Sequence, residues 1–383
     1  MQYTRESLAQ MEECYSLRSI LIRVSLVLFL LAQTLLVSQP VSDGPENQSP
    51  ASADSLPGYL TIMAVGDVML GSNYPSTAYL PPDDGNGLLA PVADMIKAAD
   101  LAFANLEGVL LTGKGHPKKC GSPSKCYAFK SPDHYIHHFT DAGFDFVSLA
   151  NNHSNDFGEP GRKNTVRLLD EAGIHHAGLL ERPSVIFEYK GLKIGFCAFA
   201  PNRATVKLND HKGMKKAVSK LKAQSDLVIV SFHGGAEGKK HQHVTRKNEY
   251  FLGENRGNPH KFARDAIDAG ADLVLGHGPH VPRALDLYKD RFIAYSLGNF
   301  ATYSRFNLSG ANGLAPMLEI RIDRQGVFQS ARIISAIQRG EGGPVPDPDN
   351  AAARKISELT EKDFPRGPLE ILADGSVTRK SPN

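Results

Sequence analysis

No tryptophan occurs anywhere in the 383-residue chain. That argues against a carbohydrate-binding platform built on stacked indoles. Nor is there a surplus of either charge: 43 basic residues face 41 acidic ones, for a formal net charge of +2. No basic stripe interleaved with aromatics runs through the sequence, so nucleic acid is excluded as the expected partner. Cysteine is scarce at four. Cys120 and Cys126 bracket the polar stretch GSPSK, and no second Cys/His pair flanks them at zinc-finger spacing. A disulfide across that loop is expected in an oxidising compartment, with two free thiols as the alternative. Cys197 sits in the apolar run KIGFCAFA and reads as a buried structural thiol, while Cys14 falls in the leader. No internal repeat is present.

The apolar run VSLVLFLLAQTLLV, Val24 to Val37, is too short for a comfortable membrane span. As a helix it reaches about 21 Å, against roughly 30 Å of hydrocarbon. Arg18 and Arg23 precede it and a Pro/Ser/Gly-rich stretch follows. Residues 1–40 therefore read as an export signal, cleaved or retained as an anchor. Residues 41–57 read as a disordered linker. The expected location is outside the cytoplasm, in the periplasm or on the outer face of the cell membrane.

What remains has an ordinary globular composition, 41% hydrophobic and 22% charged, enough to bury a sizeable core. From Tyr59 onward, apolar strands alternate with helical stretches. YLTIMAVGD, LAFANLE, FDFVSLANNH, DLVIVSFHGG and ADLVLGHG read as strands, and RFIAYSLGNF as one more. APVADMIKAAD, GEPGRKNTVRLLDEAG, DHKGMKKAVSKLKAQS and NPHKFARDAIDAG read as helices. SPDHYIHHFTDAG reads as a helix with Ser131 at its N-cap and Gly143 at its end. Strand–helix alternation of this kind gives an α/β fold, and hairpins such as the one turning at Lys190-Gly191 make the sheets mixed. The partition is a main domain over 58–340 and a C-terminal extension over 341–383, a helix plus a hairpin.

Five of the strands end in polar residues that can bind metal. The tips are Asp67; Asn105 and Glu107; Asn151, Asn152 and His153; His233 and Glu237; and His277 with His280. Ligands of open α/β sheets bind beyond the carboxyl ends of the strands, where such tips converge. Carboxylates, amide oxygens and neutral imidazoles form a mixed N/O set suited to zinc, manganese or iron, one ion or two. Such ions activate water and polarise phosphoryl or carbonyl oxygens. Taken singly, each residue has a plainer reading: Asp67 as a turn cap, the asparagines as Asx-turns, Glu237 as a solvated carboxylate. Their coincidence at five tips favours a metal site. The histidines of HYIHH and GIHHAG occupy no strand end and read as surface or helix residues. Arg203, Arg283 and Arg305 are candidate anion binders, with surface solvation as the alternative.

The motifs AVGDVMLG, ANLEG, SLANNHSNDFG, SFHGGAEG and DAGADLVLGHGPHVPRALDLYKDRFIAYSLGNF occur in this order. The set resembles the bacterial capsule synthesis family CapA/PgsA, the poly-γ-glutamate synthesis proteins, a branch of the calcineurin-like metallophosphatase superfamily. The resemblance covers roughly Leu60 to Ile337. It implies a four-layer αββα sandwich and a centre of divalent metal held by Asp67, Glu107, Asn152, His233, His277 and His280. It gives His153 the catalytic place, as the acid beside the leaving group. Asn105, Asn151, Glu237 and Asn299 are the expected substrate-binding residues at the same mouth. Met69 stands where the superfamily keeps a histidine ligand, and a thioether is a poor ligand for a hard dication. The expected role is capsule or poly-γ-glutamate synthesis or export, acting on an anionic polymer or its precursor within a membrane-bound synthesis complex. The alternatives are an exported metal-dependent hydrolase of phosphoesters or other anionic substrates, and a non-catalytic scaffold that binds the polymer.

Overall fold

The computed structural model describes residues 58–119 and 127–381. The leader, the linker, Cys14 and the Cys120–Cys126 pair lie outside the described residues. No helix among the described residues is long and apolar enough to cross a membrane.

In chain order the main strands are β1 (Tyr59–Met69), β2 (Leu101–Leu106), β3 (Phe146–Ser148), β4 (His175–Ala177), β5 (Ser184–Tyr189), β6 (Leu192–Phe199), β7 (Leu227–His233) and β8 (Leu273–His277). They continue as β9 (Leu285–Tyr288), β10 (Arg291–Ala294), β11 (Asn299–Thr302), β12 (Met317–Asp323), β13 (Phe328–Ile334), β14 (Leu369–Ile371) and β15 (Ser376–Arg379). The helices are α1 (Ala93–Lys97), α2 (Ile136–Ala142), α3 (Gly158–Glu171), α4 (His211–Lys222), α5 (Pro259–Asp268) and α6 (Ala351–Asp363).

Two mixed sheets result. The first has the order β14-β15-β13-β12-β1-β2-β3-β4, with β11 beside the far end of β1; the second runs β9-β10-β8-β7-β6-β5. Their parallel centres, β1-β2-β3-β4 and β6-β7-β8-β10, carry the sequence-legible strands. Side-chain alternation then builds the layers. On β1, Ile62 and Ala64 face the second sheet, where they join Phe196, Ile229 and Leu275. Met63 and Val65 face outward onto α1, α2 and α3 through Ile96, Phe139 and Leu169. On the opposite side, Val228, Val230 and Val274 meet Val218 of α4 and Phe262 of α5. The result is the four-layer αββα sandwich that the resemblance implies. Phe103, Phe146 and Phe196 interlock between the sheets at centroid distances of 5.0–5.7 Å. The C-terminal hairpin extends the first sheet through β15 against β13, and Ala353 and Ile356 of α6 enter the inter-sheet core.

Two local expectations are corrected. RFIAYSLGNF is not one strand: β10 belongs to the second sheet, β11 to the first, and the chain crosses between them over Tyr295–Gly298. Gly298 takes a left-handed φ of 64°, and a Cβ on Gly66 would meet its carbonyl oxygen at 2.1 Å. SPDHYIHHFTDAG does not begin at a Ser131 cap, because Lys130–Ser131 form a short strand and Pro132 starts a 3₁₀ turn; Gly143 does end the helix, at φ 86°.

Candidate metal centre

Strand register assembles the site. Asp67 on β1 pairs with Asn105 of β2 on one side and Asn299 of β11 on the other. In the second sheet His233 of β7 pairs with His277 of β8. The ladder of β1 shifts register at Asp67 against both neighbours, an irregularity of the kind that re-aims side chains at a strand end. Past β8, Gly278 adopts φ 113° over the backbone of Gly234, where a Cβ would meet nitrogen at 2.7 Å. His280 follows at φ 56°, a left-handed conformation that costs energy for a non-glycine residue and collects at functional sites.

These tips converge. Asp67, Glu107 and His280 each offer a ligand atom within 4.8 Å of one another. His280 Nδ1 lies 3.0 Å from Asp67 Oδ2, and its Nε2 lies 3.7 Å from Glu107 Oε1. His277 Nδ1 is 3.2 Å from Asp67 Oδ1. The rings of His233 and His280 are 6.2 Å apart.

Burial makes this arrangement costly as it stands. Asp67, Glu107, His233 and His277 are all fully buried. Both oxygens of Glu107, Nε2 of His233, Nε2 of His277 and Oδ1 of Asn152 have no hydrogen-bond partner among the described residues. Buried polar atoms are ordinarily satisfied, and each orphan costs about 1–3 kcal/mol. Five such atoms at converging strand tips, all of ligand type, fit a divalent cation.

The electrostatics agree. Burial pushes the Glu107 carboxyl well above its usual range, with Asp67 and Glu237 adding to the shift. Burial would also raise Asp67, but the imidazoles of His277 and His280 outweigh it and hold the carboxyl far below the usual range. Burial would lower His280, yet Glu107, Asp67 and Glu237 raise it to about 10. His233 is held well below the usual histidine range, first by burial and then by Arg256.

His153 stands beside this group. Its Nδ1 is 2.7 Å from Asp156 Oδ2 and its Nε2 is 3.9 Å from Glu107 Oε1. Burial lowers its pKa against the pull of Asp156, so the ring is neutral, with Nδ1–H donating to Asp156. Phe129 covers the ring at 4.3 Å. Asp156 also accepts from Phe129 N and pairs with Lys118 Nζ at 2.5 Å.

The remaining expected residues divide. Glu237 and Asn299 line a cavity of about 750 Å³ together with Asn152, His153 and His280. Asn105 and Asn151 are buried beneath it: Asn105 Nδ2 donates to Asp67 Oδ1 at 2.8 Å, and Asn151 bonds Asn105, Leu106 O and the backbone of His153. They therefore hold the site's side chains in place. Arg305 lines the cavity, lying over the rings of Tyr79 and Tyr127. Arg283 is buried in a two-pronged pair with Glu249. Arg203 is exposed and not part of the cavity wall. His175 and His176 are strand residues of β4, and His176 is buried. Met69 is buried near Gly108. Burial pushes the Cys197 thiol up to about 12.

Two residues of the site have no place in the strand-tip reading. Asp156 carried a signal, an acid three positions after His153 in NHSND. Arg256 carried none, since it lies in an irregular segment after a short hairpin.

Residues 61–304 match the family model described as bacterial capsule synthesis protein PGA_cap. The capsule biosynthesis protein CapA of Bacillus anthracis is 28% identical over 343 residues, covering 84% of this chain and 77% of that protein. The PGA biosynthesis protein CapA of Bacillus subtilis is 23% identical over 320 residues, covering 79% and 78%. Among solved structures, a 5'-nucleotidase precursor from Thermus thermophilus is similar at 12% identity and a TM-score of 0.41, covering 80% of this chain and 59% of that one.

Proposed function

This chain belongs to the bacterial capsule synthesis protein family, and from that membership we propose that it serves the synthesis or export of an anionic capsule polymer through a divalent-metal centre at its strand tips. The observation that carries the metal centre is the set of buried, unpartnered ligand atoms on Glu107, Asn152, His233 and His277, beside Asp67 and His280. Those six residues would hold the ion. When bound, it would supply Lewis acidity toward a carboxylate or phosphoryl oxygen of the substrate. Asp156 fixes the His153 tautomer by accepting from Nδ1–H, which leaves the Nε2 lone pair facing Glu107 and able to take up a proton and pass it on. Lys118, Lys239, Lys240 and Arg305 give the cavity wall positive charge, which suits an anionic chain. In keeping with the leader read from the sequence, the protein works outside the cytoplasm, at the membrane.

The His153–Asp156 pair favours a second reading, a metal-dependent hydrolase of phosphoesters or other anionic substrates without a capsule role. Metal analysis of the purified chain is the first test, with at least one divalent ion per chain expected. Less than half an equivalent, with no change in stability on chelation, sinks the metal centre and leaves a polymer-binding scaffold. Turnover of a generic phosphoester that disappears in His153→Ala selects the hydrolase. Binding of poly-γ-glutamate without such turnover selects the capsule role.

A further inference from the structure

Arg256 has 2% of its surface exposed, yet it borders the cavity. Its backbone is tied on three sides: N to Glu249 O at 2.8 Å, O to Gly235 N at 2.9 Å, and Glu249 N to the following Gly257 O at 2.7 Å. Glu249 is in turn clamped by Arg283. The guanidinium is thus mounted on a fixed base.

Its donors are used unevenly. Nη1 alone meets two carboxylates, Glu237 at 3.1 Å and Glu254 at 3.2 Å. Nε and Nη2 have no partner among the described residues. Those two nitrogens form the edge whose parallel N–H bonds receive a carboxylate or phosphate in bidentate fashion. An arginine serving only as a structural ion pair would present that edge to its carboxylates, because a buried charged donor left unpaired is expensive. The guanidinium also stands close to the metal ligands. Glu237, which holds Nη1, reaches within 4.0 Å of His280 Nε2 through its other oxygen, and the charge of Arg256 is felt at both His233 and Glu107.

We propose that the Nε–Nη2 edge of Arg256 is an oxyanion subsite beside the metal centre, taking a carboxylate or phosphate group of the substrate. The proposal rests on the metal-centre reading only for what lies next to the subsite. Glu237 and Glu254 both engage Nη1, so a bound anion meets only the donors they leave free. Glu237 then links the two halves of the site, one oxygen toward Arg256 and the other toward His280.

The test titrates the full chain with inorganic phosphate and, separately, with glutarate, by calorimetry, with metal content measured on the same samples. Wild type is expected to bind at one saturable site. Arg256→Gln is expected to weaken binding by at least about tenfold, and Arg256→Lys to recover only part of it, since an ammonium lacks the planar fork. Tighter glutarate assigns the subsite to a carboxylate group, and tighter phosphate to a phosphoryl group. If the variants fail to fold, the Nε–H resonance of Arg256 in the wild type decides: a shift with slowed solvent exchange on adding anion supports the subsite. Absence of anion binding in wild type, equal affinity in wild type and both variants, or an unmoved Nε–H resonance overturns it. Metal bound without an anion effect at Arg256 removes the subsite alone. Anion bound at Arg256 without metal removes the metal centre alone.

Discussion

His280 sits where three carboxylates, Glu107, Asp67 and Glu237, converge on one imidazole. Their attraction overcomes burial and raises its pKa to about 10, so the metal-free protein carries an imidazolium at neutral pH. A cation can bind that nitrogen only after the proton leaves. Metal loading at pH 7.5 is therefore expected to release protons from His280 and from the Glu107 carboxyl that burial also raises, read as a calorimetric enthalpy that varies with buffer ionisation heat. In His280→Asn the affinity falls and this release diminishes. The linkage runs the other way for the chelated protein. A folded-state pKa raised above the unfolded value of about 6.5 stabilises fully below that pH. That contribution disappears as pH rises through about 10, so the metal-free unfolding midpoint should fall over this interval and flatten in His280→Asn. The ligand residues were legible because each stands at the end of an apolar run. Asp156 stands at no strand end and left only its spacing from His153 as a signal, while Arg256 acts through an unpaired edge, which only coordinates reveal.

At the scale of elements, the site depends on crossings that periodicity cannot show. RFIAYSLGNF has the composition of a single strand, but Gly298 turns the chain from the second sheet into the first directly over Gly66. Gly66→Ala would place a methyl 2.1 Å from the Gly298 carbonyl oxygen, and its nearest neighbours are all backbone atoms of Leu297 and Gly298, which leaves nothing flexible to yield. A loss of about 3 kcal/mol, the upper end for overpacking, is expected in denaturant unfolding. Gly87→Ala, with no atom within 4 Å of the added Cβ, serves as the neutral control. The loops beyond β7 and β8 are joined by another element-scale device, the buried Glu249–Arg283 pair. Glu249→Ala takes both carboxylate oxygens from the Arg283 guanidinium and leaves it Ala236 O as acceptor. That should cost about 3–5 kcal/mol, measured by the same unfolding, and release the segment that carries Arg256.

For the molecule as a whole, the layer order was readable from alternation and from the run of strand, helix, strand. The inter-sheet pairing was not, since nothing in the order of the strands says that Asp67 and His277 face each other from different sheets. The structure places Asp67, Glu107 and Asn152 at the ends of β1, β2 and β3, and His233 and His277 at the ends of β7 and β8. A cation held by both groups is then a cross-link between the two halves of the sandwich, at the end where buried polar atoms replace the apolar core. Its removal leaves the buried atoms of Glu107, Asn152, His233 and His277 without partners there, while the core around Phe103, Phe146 and Phe196 is untouched. Binding to the folded state alone stabilises by about 2.7 kcal/mol at a hundredfold excess over Kd. Chelation is therefore expected to lower Tm, and to do so locally. Amide exchange should quicken at the ends of β1, β7 and β8 and stay unchanged along β13 and β15, which pair at the far edge of the first sheet. Faster exchange spread evenly over both regions would mean that the metal supports the fold generally, and no change in either would mean that the strand tips hold no metal.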